Sequence, residues 1–326
     1  EFAALLSDAS GGEELDRVVT RLQHATEEPV QIGSAICSVG ASIGVAIVHP
    51  GQTATVSDLL KQADMALYNA KRGGRARHVY FDEEMNRKAT KRSRLEMDLR
   101  RAVDDDEIQP YYQPLIRLSD GGVEGYEILA RWRHAELGDI PPEEFIPIAE
   151  DAGLINPLTR SIFRKACEDA REWPDGLFMS LNISPVQLRN EGIVEDLTDI
   201  LGAFGHPPDF LEVEITENAL VEDTDMAKQV LQKMADSGIR IALDDFGTGY
   251  ASINQLRALP FTKLKIDKSF ITSMQDNLES RQIVTAVLAL SQSLGLACTA
   301  EGIESPEVAE WLKEAGCGMG QGFYFG

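Results

Sequence analysis

From residue 109 onward the chain alternates short apolar runs with longer amphipathic stretches. The short runs fall at 110–118, 123–130, 177–182, 210–215, 240–244, 262–266, 297–301 and 320–323, and each reads as a strand. Helical periodicity fills most of the gaps, as at 226–237, 278–294 and 306–314. This rhythm predicts an α/β fold, a (β/α)8 TIM-like barrel. One connection breaks it. Only Ser119-Asp120-Gly121-Gly122 separates the first two strands, too short for a parallel crossover, so they should pair as a hairpin. The barrel is therefore expected to have an antiparallel first strand.

The earlier part of the chain has a different pattern. Residues 13–27 read as a helix. The apolar stretch 34–48, with Gly40 and Gly44, suits paired strands. A helix over 56–72, capped by Ser57 and ended by Gly73-Gly74, precedes a short strand at 78–81. The division expected is a partial α/β domain at 1–82, a charged linker helix at 83–101 and the barrel at 102–326. The linker carries Arg87, Lys88, Lys91, Arg92, Arg94, Arg100 and Arg101 among few apolar residues, and reads as a solvated helix rather than a phosphate-binding face.

Composition narrows the partners. At 326 residues and 43% hydrophobic content the chain can bury large cores, which excludes a disordered segment. Its formal net charge of -22 disfavours polymeric nucleic acid and anionic membranes, and a small phosphate ligand would need metal ions as mediators. Cys37, Cys167, Cys298 and Cys317 form no CxxC pair and read as reduced core or near-core thiols of a cytoplasmic protein. Residues 283–300, the longest apolar stretch, are broken by Ser291, Gln292 and Ser293, so no membrane span is expected. The sequence starts without Met and stops just after Gly-Phe-Tyr-Phe, which suggests a piece of a longer protein, one that could be membrane-anchored elsewhere.

Barrel chemistry sits at the C-terminal ends of strands. Those ends carry Glu127, Asn182, Glu214, Asp244, Asp245, Lys265, Glu301 and Gln321, nearly all oxygen-bearing and none His or Cys. Such donors select Mg²⁺ or Mn²⁺ over zinc. Several carboxylates in one mouth would repel strongly without cations. A pair of cations a few ångströms apart is a standard arrangement for phosphodiester hydrolysis. Most of these residues have plainer readings. Glu214 sits in Leu-Glu-Val-Glu-Ile-Thr-Glu, where alternation could place acids toward solvent. Asn182 could simply end a strand, and Lys265 could form a structural ion pair. Asp244-Asp245-Phe-Gly-Thr-Gly is harder to explain away: two acids end an apolar strand, and two glycines bring backbone close to a ligand.

Taken in order, Glu127-Ile128-Leu129 with Arg131-Trp132, Asn182-Ile183-Ser184, Glu214-Ile215-Thr216-Glu217, Asp244-Asp245-Phe246-Gly247-Thr248-Gly249-Tyr250, Lys263-Leu264-Lys265-Ile266-Asp267, Ala300-Glu301-Gly302-Ile303-Glu304 and Gln321-Gly322 resemble the successive motifs of EAL domains. The resemblance implies a phosphodiesterase that hydrolyses cyclic di-GMP to linear pGpG. It implies that Glu127, Asn182, Glu214 and Asp244 hold one metal ion and Asp244 with Asp245 a second, both Mg²⁺ or Mn²⁺. By the same resemblance Lys265, Glu301 and Glu127 serve catalysis, Lys265 at the attacking water. Arg131, Gln321 and Leu129 would face substrate, while Glu217 and Glu304 would hold loops. Two departures stand out: Ile128 replaces the signature's central alanine, and Ala251 stands where a serine is common.

The N-terminal segment resembles the later part of a GGDEF (diguanylate cyclase) domain. Glu1-Phe2-Ala3 followed by Leu5-Leu6 looks like the end of its signature, Ser42-Ile43-Gly44-Val45 a later strand, and 63–71 its last helix. Lacking the earlier motifs, it should make no cyclic di-GMP. The family implies a cytoplasmic-facing signalling enzyme, dimeric through the EAL domain. Two other classes are in play: a non-catalytic cyclic di-GMP receptor, which would usually have lost metal ligands, and an unrelated enolase-like barrel with one magnesium. The Asp244-Asp245 pair and Asn182 argue against the last.

Overall fold

The computed structural model describes residues 2–6, 12–33, 35–49, 51–217, 219, 224–249 and 253–326; Glu1, Ser34, Tyr250 and Ala251 lie outside them. The chain divides into two compact units, Glu1–Leu95 and Glu96–Gly326.

In the first unit, α1 (Gly12–Glu27) precedes β1 (Val30–Ile32) and β2 (Ala35–Cys37), and α2 (Val56–Arg72) lies between β3 (Ile43–Val45) and β4 (His78–Tyr80). The expected pairing within 34–48 does not form. β2 instead turns back on β1, and β3 pairs in parallel with β4. The reason is a β-α-β crossover closed by α2. Gly44 makes it possible: a Cβ there would lie 2.0 Å from the Ala63 carbonyl oxygen, so only glycine lets the helix approach the strand so closely. The cap of α2 is Thr55 rather than Ser57. Its hydroxyl accepts from the Asp58 amide while the Asp58 carboxylate accepts from the Thr55 amide, a reciprocal capping box. Cys37 is exposed, unlike the other three cysteines, which are buried, and all four are free thiols.

Helix α3 (Glu83–Asp104) leads to the second unit, where Leu99, Ala102 and Val103 are buried. Eight strands then close a ring. In ring order they are β5 (Gln109–Arg117), β13 (Met319–Gly320), β12 (Ala297–Ala300), β11 (Lys263–Ile266), β10 (Arg240–Phe246), β9 (Leu211–Thr216), β8 (Phe178–Asn182) and β6 (Val123–His134), with β6 paired back to β5. β5 is antiparallel to both neighbours and all other ring pairs are parallel. The expected barrel with one reversed first strand is what forms. The outer helices are α4 (Pro142–Asp151), α5 (Ile155–Asp169), α6 (Gly192–Phe204), α7 (Thr224–Asp236), α8 (Ile253–Ala258), α9 (Lys268–Ser273), α10 (Leu278–Leu294) and α11 (Pro306–Glu314).

Two strands depart from expectation. β6 runs on to His134 because its extension forms a hairpin with β7 (Gly138–Ile140), and the His134 Nδ1 accepts from the amides of Glu136 and Leu137 to hold the turn. β13 stops at Gly320. Beyond it Gly322 passes so close to Ile303 that a Cβ would meet its carbonyl oxygen at 2.2 Å, and Phe323 is left 85% exposed.

Alternation along the parallel strands sends apolar side chains outward to the helices. Ile241, Leu243, Leu264 and Ile266 are fully buried there, each contributing about 1.5–3 kcal/mol on removal from water. The inward positions are polar: Ser180, Glu212, Glu214, Lys263, Lys265 and Thr299 are all nearly inaccessible. The acids of Leu211–Thr216 thus face the barrel interior, not solvent.

Candidate functional site

Lys265 is the centre of the barrel mouth. Its ammonium lies 2.5 Å from Glu214 Oε2 and 2.5 Å from Glu301 Oε1, with Asp244 Oδ1 at 3.4 Å and Glu127 Oε2 at 3.9 Å. The other expected residues attach to this knot. Asn182 donates its amide to Glu127 Oε1 at 2.7 Å, and Gln321 donates to Glu127 Oε2 at 2.6 Å. Glu127, Asn182, Glu214, Asp244, Lys265, Glu301 and Gln321 come from seven different strands or strand ends and meet in one place.

Asp245 joins them through a backbone irregularity. Successive residues of a strand point to opposite faces, so two adjacent acids should not share a pocket. Between β10 and β11, however, Leu243 pairs with Leu264 and Phe246 with Ile266, which leaves one extra residue on β10. Asp245 takes a left-handed conformation at φ 54, a strained choice for a residue other than glycine. This bulge turns both acids inward. Asp244, Asp245 and Glu301 each then offer an oxygen within 4.8 Å of the others, close enough to hold one metal ion.

The electrostatics are unbalanced. Five carboxylates (Glu127, Glu214, Asp244, Asp245 and Glu301) surround one ammonium. Burial pushes Glu214 well above the usual carboxylate range, and the Glu127, Asp244 and Glu301 charges add to it, Lys265 opposing. Burial and the same neighbours raise Glu301 to about 7. Asp245 rises to about 6 through burial, the Asp244 charge and a hydrogen bond with Asp267. Burial alone would lower Lys265, but its four acidic neighbours outweigh it and hold the amine firmly protonated. Buried carboxylates in excess of their counter-ions are a donor set for a hard divalent cation. Gln321 Oε1 fits the same picture, a buried carbonyl oxygen without a partner among the described residues.

The remaining expected residues lie around this centre. Leu129 and Arg131 follow Glu127 at alternate positions of β6, half-buried; the Arg131 guanidinium donates to the Ala130 carbonyl and lies 5.7 Å from the Tyr111 ring. Glu217 Oε2 accepts from the amides of Gly247 (3.3 Å) and Gly249 (3.0 Å), tying the loop after Asp245 to the end of β9. Gly249 is small for that reason: a Cβ would come 2.9 Å from the Glu217 carboxyl carbon. Glu304 is exposed, with no hydrogen bond or ion pair among the described residues, and is not brought to the site. Sequence reasoning missed two contributors. Gln113 accepts from Gln321 at 2.7 Å, and Ser180 donates to Glu214 Oε1 at 2.6 Å. Gln113 could have been found from the reversed strand itself, because reversal brings the opposite end of β5 to the mouth, across from Glu127.

A closed barrel with one reversed strand, its mouth lined by clustered acids around a lysine, defines the class. Residues 96–326 match the family model described as "EAL domain", and the chain belongs to that family; residues 1–77 match "Diguanylate cyclase, GGDEF domain". An uncharacterized signaling protein of Caulobacter vibrioides is 40% identical, over 94% of this chain and 38% of its own length. The bifunctional diguanylate cyclase/cyclic di-GMP phosphodiesterase MucR of Pseudomonas aeruginosa is 34% identical, over 99% of this chain and 47% of its own. The chain thus spans less than half the length of these curated relatives. Among solved structures, the PaMucR phosphodiesterase in complex with c-di-GMP superposes with TM-score 0.68 at 34% identity, covering 72% of this chain and 96% of that one. The Pseudomonas aeruginosa FimX EAL domain bound to c-di-GMP gives 0.65 at 26%, over 71% and 94%. No helix among the described residues is long and apolar enough to cross a membrane.

Proposed function

We propose that the barrel is a metal-dependent phosphodiesterase that hydrolyses cyclic di-GMP to linear pGpG. The observation that carries this reading is the surplus of buried carboxylates around Lys265. Glu127, Asn182, Glu214 and Asp244 would hold one Mg²⁺ or Mn²⁺, and Asp244 with Asp245 would serve a second. Bound divalent cations supply a water acidified toward neutrality and neutralise charge on phosphoryl oxygens. The chain's own residues do the rest. Lys265, fixed by its carboxylates, orients the attacking water with Glu301 beside it. Arg131 takes a substrate phosphate, Leu129 lines the mouth, and Gln321 positions Glu127 and offers its free carbonyl oxygen. Glu217 keeps the loop after Asp245 in register. Relatives and structural neighbours named for cyclic di-GMP phosphodiesterase activity or for bound c-di-GMP support the substrate.

The test is incubation of the chain with cyclic di-GMP and Mg²⁺ or Mn²⁺, followed by chromatography of the nucleotides. Metal-dependent appearance of pGpG is expected. Tight binding with the nucleotide recovered intact would overturn hydrolysis and leave a receptor.

A further inference from the structure

We propose that Ser180 is a positioning residue for the acid cluster, the group that fixes which way the Glu214 carboxylate faces. The inference rests on the metal-site reading above and adds a residue to it. Strand register sets Ser180 beside Glu212 and Asn182 beside Glu214. The Ser180 hydroxyl nonetheless reaches two residues along the neighbouring strand and donates to Glu214 Oε1 at 2.6 Å. The other oxygen, Oε2, receives the Lys265 ammonium at 2.5 Å.

Each Glu214 oxygen therefore has its own partner, one below and one toward the mouth. Rotation of the carboxylate would break both bonds. Lys263, the inward-facing cation one layer below, is engaged with Glu212 Oε1 at 2.5 Å. Ser180 and Glu214 are both fully buried, away from bulk solvent. Without the hydroxyl, Oε1 would be a buried acceptor left unpaired, and the carboxylate would turn to share the Lys265 donor, moving its oxygens off the cation position. Groups that orient a metal ligand in this way typically change affinity by about 10–100-fold when removed.

Mn²⁺ titration of the full chain, read by the electron paramagnetic resonance signal of the free ion, tests this. Ser180→Ala should weaken Mn²⁺ binding by at least about 10-fold while the circular dichroism spectrum and the KM for cyclic di-GMP at saturating metal stay as in the unsubstituted chain. Ser180→Thr, which keeps a hydroxyl, should restore affinity. Unchanged affinity in a folded Ser180→Ala chain overturns the proposal. Should Ser180→Ala fail to fold, Ser180→Thr and Ser180→Cys decide: tighter binding by Thr than by Cys, the weaker donor, supports it, and equal binding overturns it. An unsubstituted chain that binds no Mn²⁺ sinks the metal reading itself, a different result from a chain that binds equally well with and without the hydroxyl.

Discussion

Two lysines on β11, two residues apart and both inside the barrel, have opposite surroundings. Lys263 faces one acid, Glu212, at 2.5 Å, with the Phe178 ring 4.5 Å away. Lys265 faces four acids. Burial is the same for both, yet it wins at Lys263, whose amine is held below its usual range, and loses at Lys265, whose amine is pushed well above it. The lower layer pairs Lys263 with Glu212, beside Arg240 and the Phe178 ring, and completes a core. The upper layer has more negative charge than the protein itself can neutralise, and such a surplus persists only where something else binds.

Substitutions at the two layers should therefore fail in different ways. The largest effect is expected for Asp244→Ala or Glu127→Ala. Each removes an oxygen donor from the mouth, and hydrolysis of cyclic di-GMP should fall by at least about 10³-fold, the worth of several kcal/mol of metal-supplied stabilisation. Steady-state assays check this, and full activity in Glu127→Ala would refute the ligand assignment. Lys265→Ala should keep metal occupancy yet slow turnover by roughly 10²–10⁴-fold, the range for loss of a group that manages the reacting proton. Lys263→Met should do the reverse. It strands the Glu212 charge in the core and costs about 3–5 kcal/mol of stability in a denaturant titration, while turnover per folded molecule stays near that of the unsubstituted chain.

The smallest effect is one of pH. Glu301 and Asp245 titrate at about 7 and about 6 in the folded chain, above the ordinary 4.5 and 3.8. The folded state thus holds protons that the unfolded state has released. The stability linked to them is complete below the ordinary carboxylate range and is lost as pH rises through 6 to 7. Without metal, the melting temperature should fall across that window by at least roughly 2–4 °C, the change expected per kcal/mol. Mg²⁺ should recover more stability at pH 8 than at pH 5, because it binds the ionised carboxylates. A metal-free melting temperature that climbs over the same window would contradict the surplus-charge picture.

Much of this barrel could be read from period alone. The four-residue turn at Ser119–Gly122 was enough to reverse β5, because no parallel crossover is that short. Ordered polar residues at strand ends, oxygen donors around one lysine, likewise located Glu127, Asn182, Glu214, Asp244, Lys265, Glu301 and Gln321. What escaped was geometry that strand period does not encode. The bulge that turns Asp245 beside Asp244 depends on one residue's left-handed backbone, and nothing in the run of apolar and polar positions announces it. Ser180 was hidden because a serine inside a strand reads as filler until its partner on the neighbouring strand is known, here Glu214. Within 34–48, read as paired strands, β3 instead pairs with β4, because Gly44 serves the close approach of α2 that closes the crossover.

The surplus of acids over ammonium is the claim on which the account turns, and anomalous diffraction from crystals of the chain soaked in Mn²⁺ addresses it directly. Manganese peaks are expected bounded by Asp244, Asp245 and Glu301, with Glu127 and Glu214 beside them. A mouth empty of manganese, its carboxylates still gathered on Lys265, would contradict it.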